Sequence, residues 1–301
     1  MTNLLKWLGG GIFWPLFYSS PIQTAYGYFA MIFKNVDNYG INTVKLTELI
    51  RYPVKSMGGN TLAEADILPT GLPHDREWLV ATPQGGFVTA RKFPKMLLWQ
   101  ADARLDGLVL TAPDGSRREV SVSEMTDSAD VTVWKDSFAA RCGSIEIDKW
   151  LSEQLGMAVR LYWLGEQSHR MLSYSQTPLS FADGAPFLLT NTASLADLNH
   201  MLDKPVEMAR FRANLVFSGK QAYEEEQWHR IRIGEVEFEN FKPCTRCVMT
   251  TVDLQSGQKD RFQEPLSTLA VVRNAVFGVN LVALNQGRVR VDDEVEVLSY
   301  R

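Results

Sequence analysis

Glu77-Trp78-Leu79-Val80-Ala81-Thr82-Pro83-Gln84-Gly85-Gly86-Phe87-Val88-Thr89-Ala90 reads as a strand, a turn and a second strand. β-Branched and aromatic residues fill both arms, and Pro83-Gln84-Gly85-Gly86 supplies the reversal between them. The same pattern extends in both directions. Thr43 to Tyr52 and Ala65 to Leu68 read as strands upstream; Leu98 to Ala103, Leu108 to Thr111 and Val131 to Trp134 do so downstream, with Pro113-Asp114-Gly115 as a further turn. Many short strands at close spacing imply a barrel or sandwich rather than a wound parallel sheet. Helical periodicity is rare: Ile147, Trp150, Leu151 and Leu155 share one face of a predicted helix that Gly156 closes.

A second unit is expected from Gly165. Glu166 to Ser180 reads as a polar connector, and a helix capped by Thr192 or Ser194 is predicted to run to Leu202. Leu215 to Phe217, Glu235 to Phe238, Val248 to Val252, Val279 to Ala283 and Val289 to Val297 supply a second set of strands, with a C-terminal hairpin pivoting on Asn285-Gln286-Gly287. The expected fold is mainly β with a few helices (α+β), in two barrel-like units at 43–164 and 165–301 behind an extension at 1–42.

That extension differs from the rest. Trp7 to Phe33 is free of charge, 27 residues with Lys6 on its flank, long enough to cross a bilayer. Pro15 and Pro21 interrupt it and Ser19, Ser20, Gln23 and Thr24 dilute it, so the reading favours a loosely packed extension over an anchor. The remaining 259 residues should fold without it.

With 301 residues and 45% hydrophobic composition, the chain can bury a sizeable core. Three cysteines fit a reducing compartment, by default the cytoplasm, better than a secreted disulfide framework. A net charge of −4 gives no global attraction for nucleic acid, so an anionic ligand would have to be small and held locally.

Two of the three cysteines stand in Lys242-Pro243-Cys244-Thr245-Arg246-Cys247, where Lys242 and Arg246 place positive charge beside the thiols, the setting in which a thiolate ligand or nucleophile forms. A structural zinc needs four ligands in close pairs, whereas Cys142, His74, His169, His200 and His229 stand singly. A thioredoxin-type pair would open a helix, but the β-branched run after Cys247 reads as a strand. Two inert, half-buried cysteines are one reading. The other is a single thiolate on a soft or redox-active metal whose remaining ligands come from a cofactor.

Tyr52-Pro53-Val54-Lys55-Ser56, Asp75-Arg76, Phe87-Val88-Thr89-Ala90-Arg91, Phe181-Ala182-Asp183-Gly184, Phe211-Arg212-Ala213-Asn214 and the cysteine motif occur in the order seen in MOSC proteins. The chain from residue 43 onward thus resembles the molybdenum cofactor sulfurase C-terminal-like family with its N-terminal β-barrel partner domain. Within that family it resembles the bacterial N-hydroxylaminopurine reductases and the mitochondrial amidoxime-reducing components. The resemblance implies a molybdopterin-type cofactor with Cys247 as metal ligand and catalytic residue, and it leaves the role of the neighbouring Cys244 open. It implies that Lys55, Ser56 and Arg76 meet the pterin phosphate and its surroundings, and that Asp183, Gly184, Ala185, Arg212, Asn214 and Thr245 line the cofactor cleft. Independently, a chain of negative total charge must hold an anionic phosphate with placed cations and hydroxyls, for which Lys55, Ser56, Arg76 and Arg212 are suited. Taken singly these residues have plainer readings: Arg76 as a surface ion pair with Asp75 or Glu77, Asn214 as a turn hydrogen bond.

Ala213 stands where the family commonly has proline, and Thr245 where it commonly has serine. Three scattered cysteines cannot ligate an iron–sulfur cluster, which takes four. Electrons are therefore expected from a separate protein, a flavin reductase or an iron–sulfur or haem carrier. The expected activity is molybdenum-dependent reduction of N-hydroxylated or N-oxygenated compounds: hydroxylaminopurines, amidoximes, hydroxylamines. The alternatives are a non-catalytic cofactor carrier or sulfur-transfer module, and a zinc or dithiol protein that needs no pterin.

Overall fold

The computed structural model describes residues 43–166 and 168–301; the expectations placed on residues 1–42, membrane contact among them, lie outside the described residues. Among the described residues the fold is mainly β, with three α-helices and short 3-10 turns. Residues 43–301 form one compact unit.

The largest sheet has eight strands in the order Val295–Tyr300, Trp228–Ile233, Val236–Thr245, Val276–Ala283, Phe187–Asn191, Leu215–Phe217, Leu46–Arg51 and Asn60–Leu62. All neighbours are antiparallel except Phe187–Asn191 against Leu215–Phe217. The sheet closes on itself. Val295 N–H donates to the Val44 carbonyl at 2.8 Å and Leu46 N–H to the Asp293 carbonyl at 2.9 Å, joining the first strand to the start of the seventh. Closure leaves fewer unpaired edges, and its interior is filled by Leu46, Leu49, Phe187, Phe217, Ile231 and Phe238 among others. Two of its strands, Leu46–Arg51 and Asn60–Leu62, come from the N-terminal part of the chain.

Between these segments lie a four-stranded sheet (Trp78–Ala81, Arg160–Trp163, Asp136–Cys142, Asp127–Val133) and a three-stranded one (Gln100–Arg104, Gly107–Thr111, Arg117–Ser121). Their core gathers Trp78, Val80, Trp99, Leu108, Leu110, Trp150 and Leu161, with Met249 and Val252 contributed from beyond the cysteine motif. Helix α1 (Ile145–Leu155) buries Ile147, Trp150 and Leu151 here and ends on Gly156 at φ +65°, as its periodicity predicts.

Several local expectations need correction. In the opening stretch, Phe87 is joined to Ala81 by an isolated bridge, and Val88 N–H donates to the Val80 carbonyl at 2.8 Å, without extending into a regular second strand. Helix α2 (Thr192–His200) is capped by Asn191, whose Oδ1 accepts from Ala193 N–H at 2.9 Å; Ser194 turns instead toward Glu225. Val248 to Val252 is no strand. Val248–Thr251 forms a 3-10 turn because Thr250 and Thr251 donate their hydroxyls back to the Cys247 and Val248 carbonyls, which overrides β-propensity. The C-terminal hairpin does not form either: Gly287–Arg290 pairs with Glu64–Ile67, where Arg288 meets Asp66 at 2.8 Å and Val289 is fully buried. Helix α3 (Leu266–Arg273) has no counterpart in the sequence reading.

Candidate functional site

One cavity of about 520 Å³ lies where the strand Val236–Thr245 ends, and all ten residues singled out in the sequence line it. The strand carries Lys242 to Thr245 to its rim, and Cys247 follows in extended conformation.

Ser56, Arg76, Trp134 and Arg212 all have positive φ, between 52° and 70°. Four of the eleven such non-glycine residues among the described ones therefore line this cavity, so its wall rests on backbone bends that ordinary turns avoid. Asp75 accounts for two of the bends. Its Oδ1 accepts from Tyr52 N–H at 2.7 Å and its Oδ2 pairs with Arg76, which ties the Tyr52–Ser56 segment to the Asp75-Arg76 turn. Arg76 also donates to Asn214 Oδ1 at 3.0 Å and to the Arg212 carbonyl at 3.3 Å. It is mostly buried, at 13% exposure, so the surface ion pair reading fails. Asn214 completes the junction, donating to the Ile50 carbonyl at 3.1 Å and accepting from Leu188 N–H. Its side chain welds strands rather than closing a turn.

Arg212 reaches into the cavity over the Tyr52 ring, 4.1 Å from its centroid, and donates to the Met57 carbonyl at 2.6 Å. Burial pushes it down to about 10. The opposite wall belongs to Lys55, Asp183 and Arg91. Lys55, 4% exposed, donates to the Phe181 carbonyl at 2.7 Å and to Asp183 Oδ1 at 2.5 Å; burial pushes it down to about 8 against the pull of that carboxylate. Arg91 holds Asp183 Oδ2 at 2.9 Å. Although burial opposes the charge on Asp183, Lys55 and Arg91 keep its carboxyl well below the usual range. Burial likewise opposes charge on Arg91, yet Asp183 and then Cys247 beside it hold the guanidinium above its ordinary value.

Three side chains here escaped the sequence reading. Arg91 ends the motif Phe87-Val88-Thr89-Ala90-Arg91, which does not itself disclose a role for it. Trp134 lines the cavity from the turn between Asp127–Val133 and Asp136–Cys142. Arg170, buried in the supposed connector, donates to Asp136 at 2.8 Å and to the Ser180, Ala182 and Asp183 carbonyls, fixing the loop that presents Asp183, Gly184 and Ala185. None carries a local signal, since each acts across 34 to 92 residues or a turn. Of the two cations expected beside the thiols, Arg246 does donate to Cys244 Sγ at 2.8 Å, and to the Phe211 carbonyl, while Lys242 lies over Phe241; the cation beside Cys247 is Arg91.

Seven cationic side chains and one carboxylate line the cavity of a protein whose total charge is negative. A buried donor, Arg246 Nε, has no partner. Together with two free thiols in its wall, this donor set fits an anionic ligand that also offers a soft metal. Among the described residues no three His, Cys, Asp or Glu side chains gather as a metal site of their own, and no helix is long and apolar enough to cross a membrane.

The closed sheet carries a cation-lined cleft that ends on a cysteine, and comparison with known proteins gives the chain a family. Residues 43–158 match the MOSC N-terminal beta barrel domain and residues 176–296 the MOSC domain. The chain belongs to the MOSC family, with both of its barrel domains. It is similar to mitochondrial amidoxime-reducing component 1 of Mus musculus (31% identical, covering 84% of this chain and 82% of that one) and of Danio rerio (32%, 85% of each). It is also 30% identical, over 88% of its length, to the molybdenum cofactor sulfurase of Oryza sativa subsp. japonica, of which it spans 36%.

Proposed function

We propose that this protein is a molybdenum cofactor-dependent oxidoreductase that reduces N-hydroxylated or N-oxygenated compounds by two electrons, the oxygen leaving as water, with electrons delivered by a separate protein. The observation that carries this reading is the cavity in which Cys247 faces a ring of cations. Bound there, the cofactor would supply the redox-active metal. Cys247 would hold that metal, and Lys55, Ser56 and Arg212 the anionic pterin tail, with Arg76 and Asn214 fixing the wall behind them. Asp183, kept ionised by its two cations, serves as an acceptor and not as the proton source. Lys55 Nζ, pushed down to about 8 by burial, still carries its proton at neutral pH and donates a hydrogen bond to that same carboxylate, in keeping with its place on the anionic tail. The three free thiols favour a reducing compartment, the cytoplasm, with any membrane contact left to residues 1–42.

The similarity to the sulfurase favours a second reading, a cofactor-binding or sulfur-transfer module without reductase activity. Protein made in a molybdenum-replete host separates the two. The first reading expects stoichiometric molybdenum and pterin together with turnover of an amidoxime by reduced methyl viologen; Cys247→Ser should lose both metal and turnover while circular dichroism stays the same. Metal without turnover favours the module. Parental activity in Cys247→Ser would remove the assignment of that ligand, and molybdenum-free protein would remove both readings.

A further inference from the structure

Trp134 occupies a position that its own turn does not ask for. Val133 pairs with Asp136 across a two-residue connection, and the first position of such a turn at φ +59° is ordinarily supplied by glycine or asparagine. Tryptophan in this conformation is rare, and here 49% of its surface is left to solvent. The side chain is nevertheless fixed. Its Nε1 donates to Asp183 Oδ1 at 3.1 Å, the Arg91 guanidinium lies 4.6 Å from its ring centroid, and Phe87 meets it edge-on at 5.4 Å. Both polar partners belong to the wall that holds Cys247 and Lys55. Of the three aromatic residues lining the cavity, Phe187 and Phe211 are completely buried, so Trp134 is the one whose π-surface a ligand can touch.

We infer that Trp134 is a specificity-determining residue: its exposed ring is the stacking wall for the substrate, selecting N-oxygenated groups carried on planar, π-faced molecules over aliphatic ones. Arg91 covers part of the indole and Asp183 locks its rotation, which leaves a rigid aromatic surface beside the cations of the cavity. A flat heteroaromatic or aryl group gains contact there without displacing a cation. An aliphatic amidoxime has nothing to lay against it. The strained turn is then the means by which the N-terminal barrel reaches into a cleft built largely by the C-terminal one.

This inference rests on the reductase reading, and two variants keep the tests apart. Trp134→Gly removes the ring and relaxes the turn, so folding is favoured; Trp134→Phe keeps a π-surface without the bond to Asp183. With reduced methyl viologen as donor, Trp134→Gly should raise KM for benzamidoxime about tenfold more than KM for acetamidoxime, the worth of one aromatic stack. Trp134→Phe should recover most of the loss. Calorimetric binding of the two compounds to the purified protein should show the same selectivity, and it decides the matter even where reduction fails. Equal effects on both compounds, or none, would overturn the inference. So would loss of pterin from Trp134→Gly, which would make the ring a support for the cofactor.

Discussion

Buried between the Phe181 carbonyl and the Asp183 carboxylate, Lys55 is the cation whose charge changes within an accessible pH range. Its folded value of about 8 lies below the ordinary 10.5, so the unfolded chain binds the extra proton between those values and stability rises with pH through that window. Anion binding runs the other way. Sulfate, whose own charge is constant over this range, should bind cofactor-free protein more weakly as pH rises from about 7 to 9, with a midpoint near or somewhat above 8 because the bound anion favours the charged lysine. Lys55→Met should bind weakly at both ends and lose the step. Calorimetry across pH checks this, and a flat parental profile would mean that Lys55 does not face the ligand. Lys55, Ser56, Arg76 and Arg212 were legible in the sequence only through the joint order of their motifs. What that order could not show is that Arg76 spends its donors on Asn214 and the Arg212 carbonyl, or that Arg91 stands against Cys247. Hydrogen bonds spanning more than a hundred residues leave no local trace.

Turns that read alike as elements differ sharply once packed. Gly85 and Gly115 each stand two residues after a proline in a strand–turn–strand pattern, and both have φ near +84°. A methyl group on Gly85 would stand 2.2 Å from the Asp130 carbonyl oxygen, because the Gly85 carbonyl accepts from Thr132 N–H and the turn lies flat on the strand Asp127–Val133. One on Gly115 would meet nothing within 4 Å. Gly115→Ala should therefore cost only backbone strain, about 1 kcal/mol, whereas Gly85→Ala adds a backbone clash and should cost on the order of 3 kcal/mol or more. For a chain of this size each kcal/mol lowers the melting temperature by about 2–4 °C, so thermal melts will resolve the pair. Equal shifts would show that the turn yields easily. The same distinction explains which elements were readable. Helix α1 carries its own periodicity and its own terminating glycine, so composition sufficed. The run Val248 to Thr251 looked like a strand because valine and threonine favour one, yet its threonines bond to the carbonyls three residues back. Gly287–Arg290 reads as the mate of its sequence neighbour, whereas its partner Glu64–Ile67 is some 222 residues away and is selected by arginine–carboxylate pairs and by burial of Val289.

At the scale of the molecule, the C-terminal barrel is closed by chain that comes from the other end of the sequence. We propose 43–164 and 165–301 as the two domains, but the closure makes the second depend on the first for folding. Leu46, Leu49, Ile67 and Leu72 all enter the core of the eight-stranded sheet. At roughly 1.5–3 kcal/mol for each buried leucine or isoleucine side chain, their removal forfeits about 6–12 kcal/mol. Whole domains are stable by only about 5–15 kcal/mol, so the loss is comparable to everything the fold has. Removing them also strips Leu215–Phe217 of its antiparallel partner and opens the ring at Val295, leaving two unpaired edges. Residues 165–301 expressed alone should therefore show no sharp thermal transition and should bind a hydrophobic dye, while 43–301 unfolds in one cooperative step. The fragment should also fail to bind sulfate, since Lys55, Ser56 and Arg76 come from the missing part. A sharp, reversible transition in 165–301 would mean that the six strands from Val295–Tyr300 to Leu215–Phe217 hold together by themselves, and that Leu46–Arg51 only seals a barrel that stands without it.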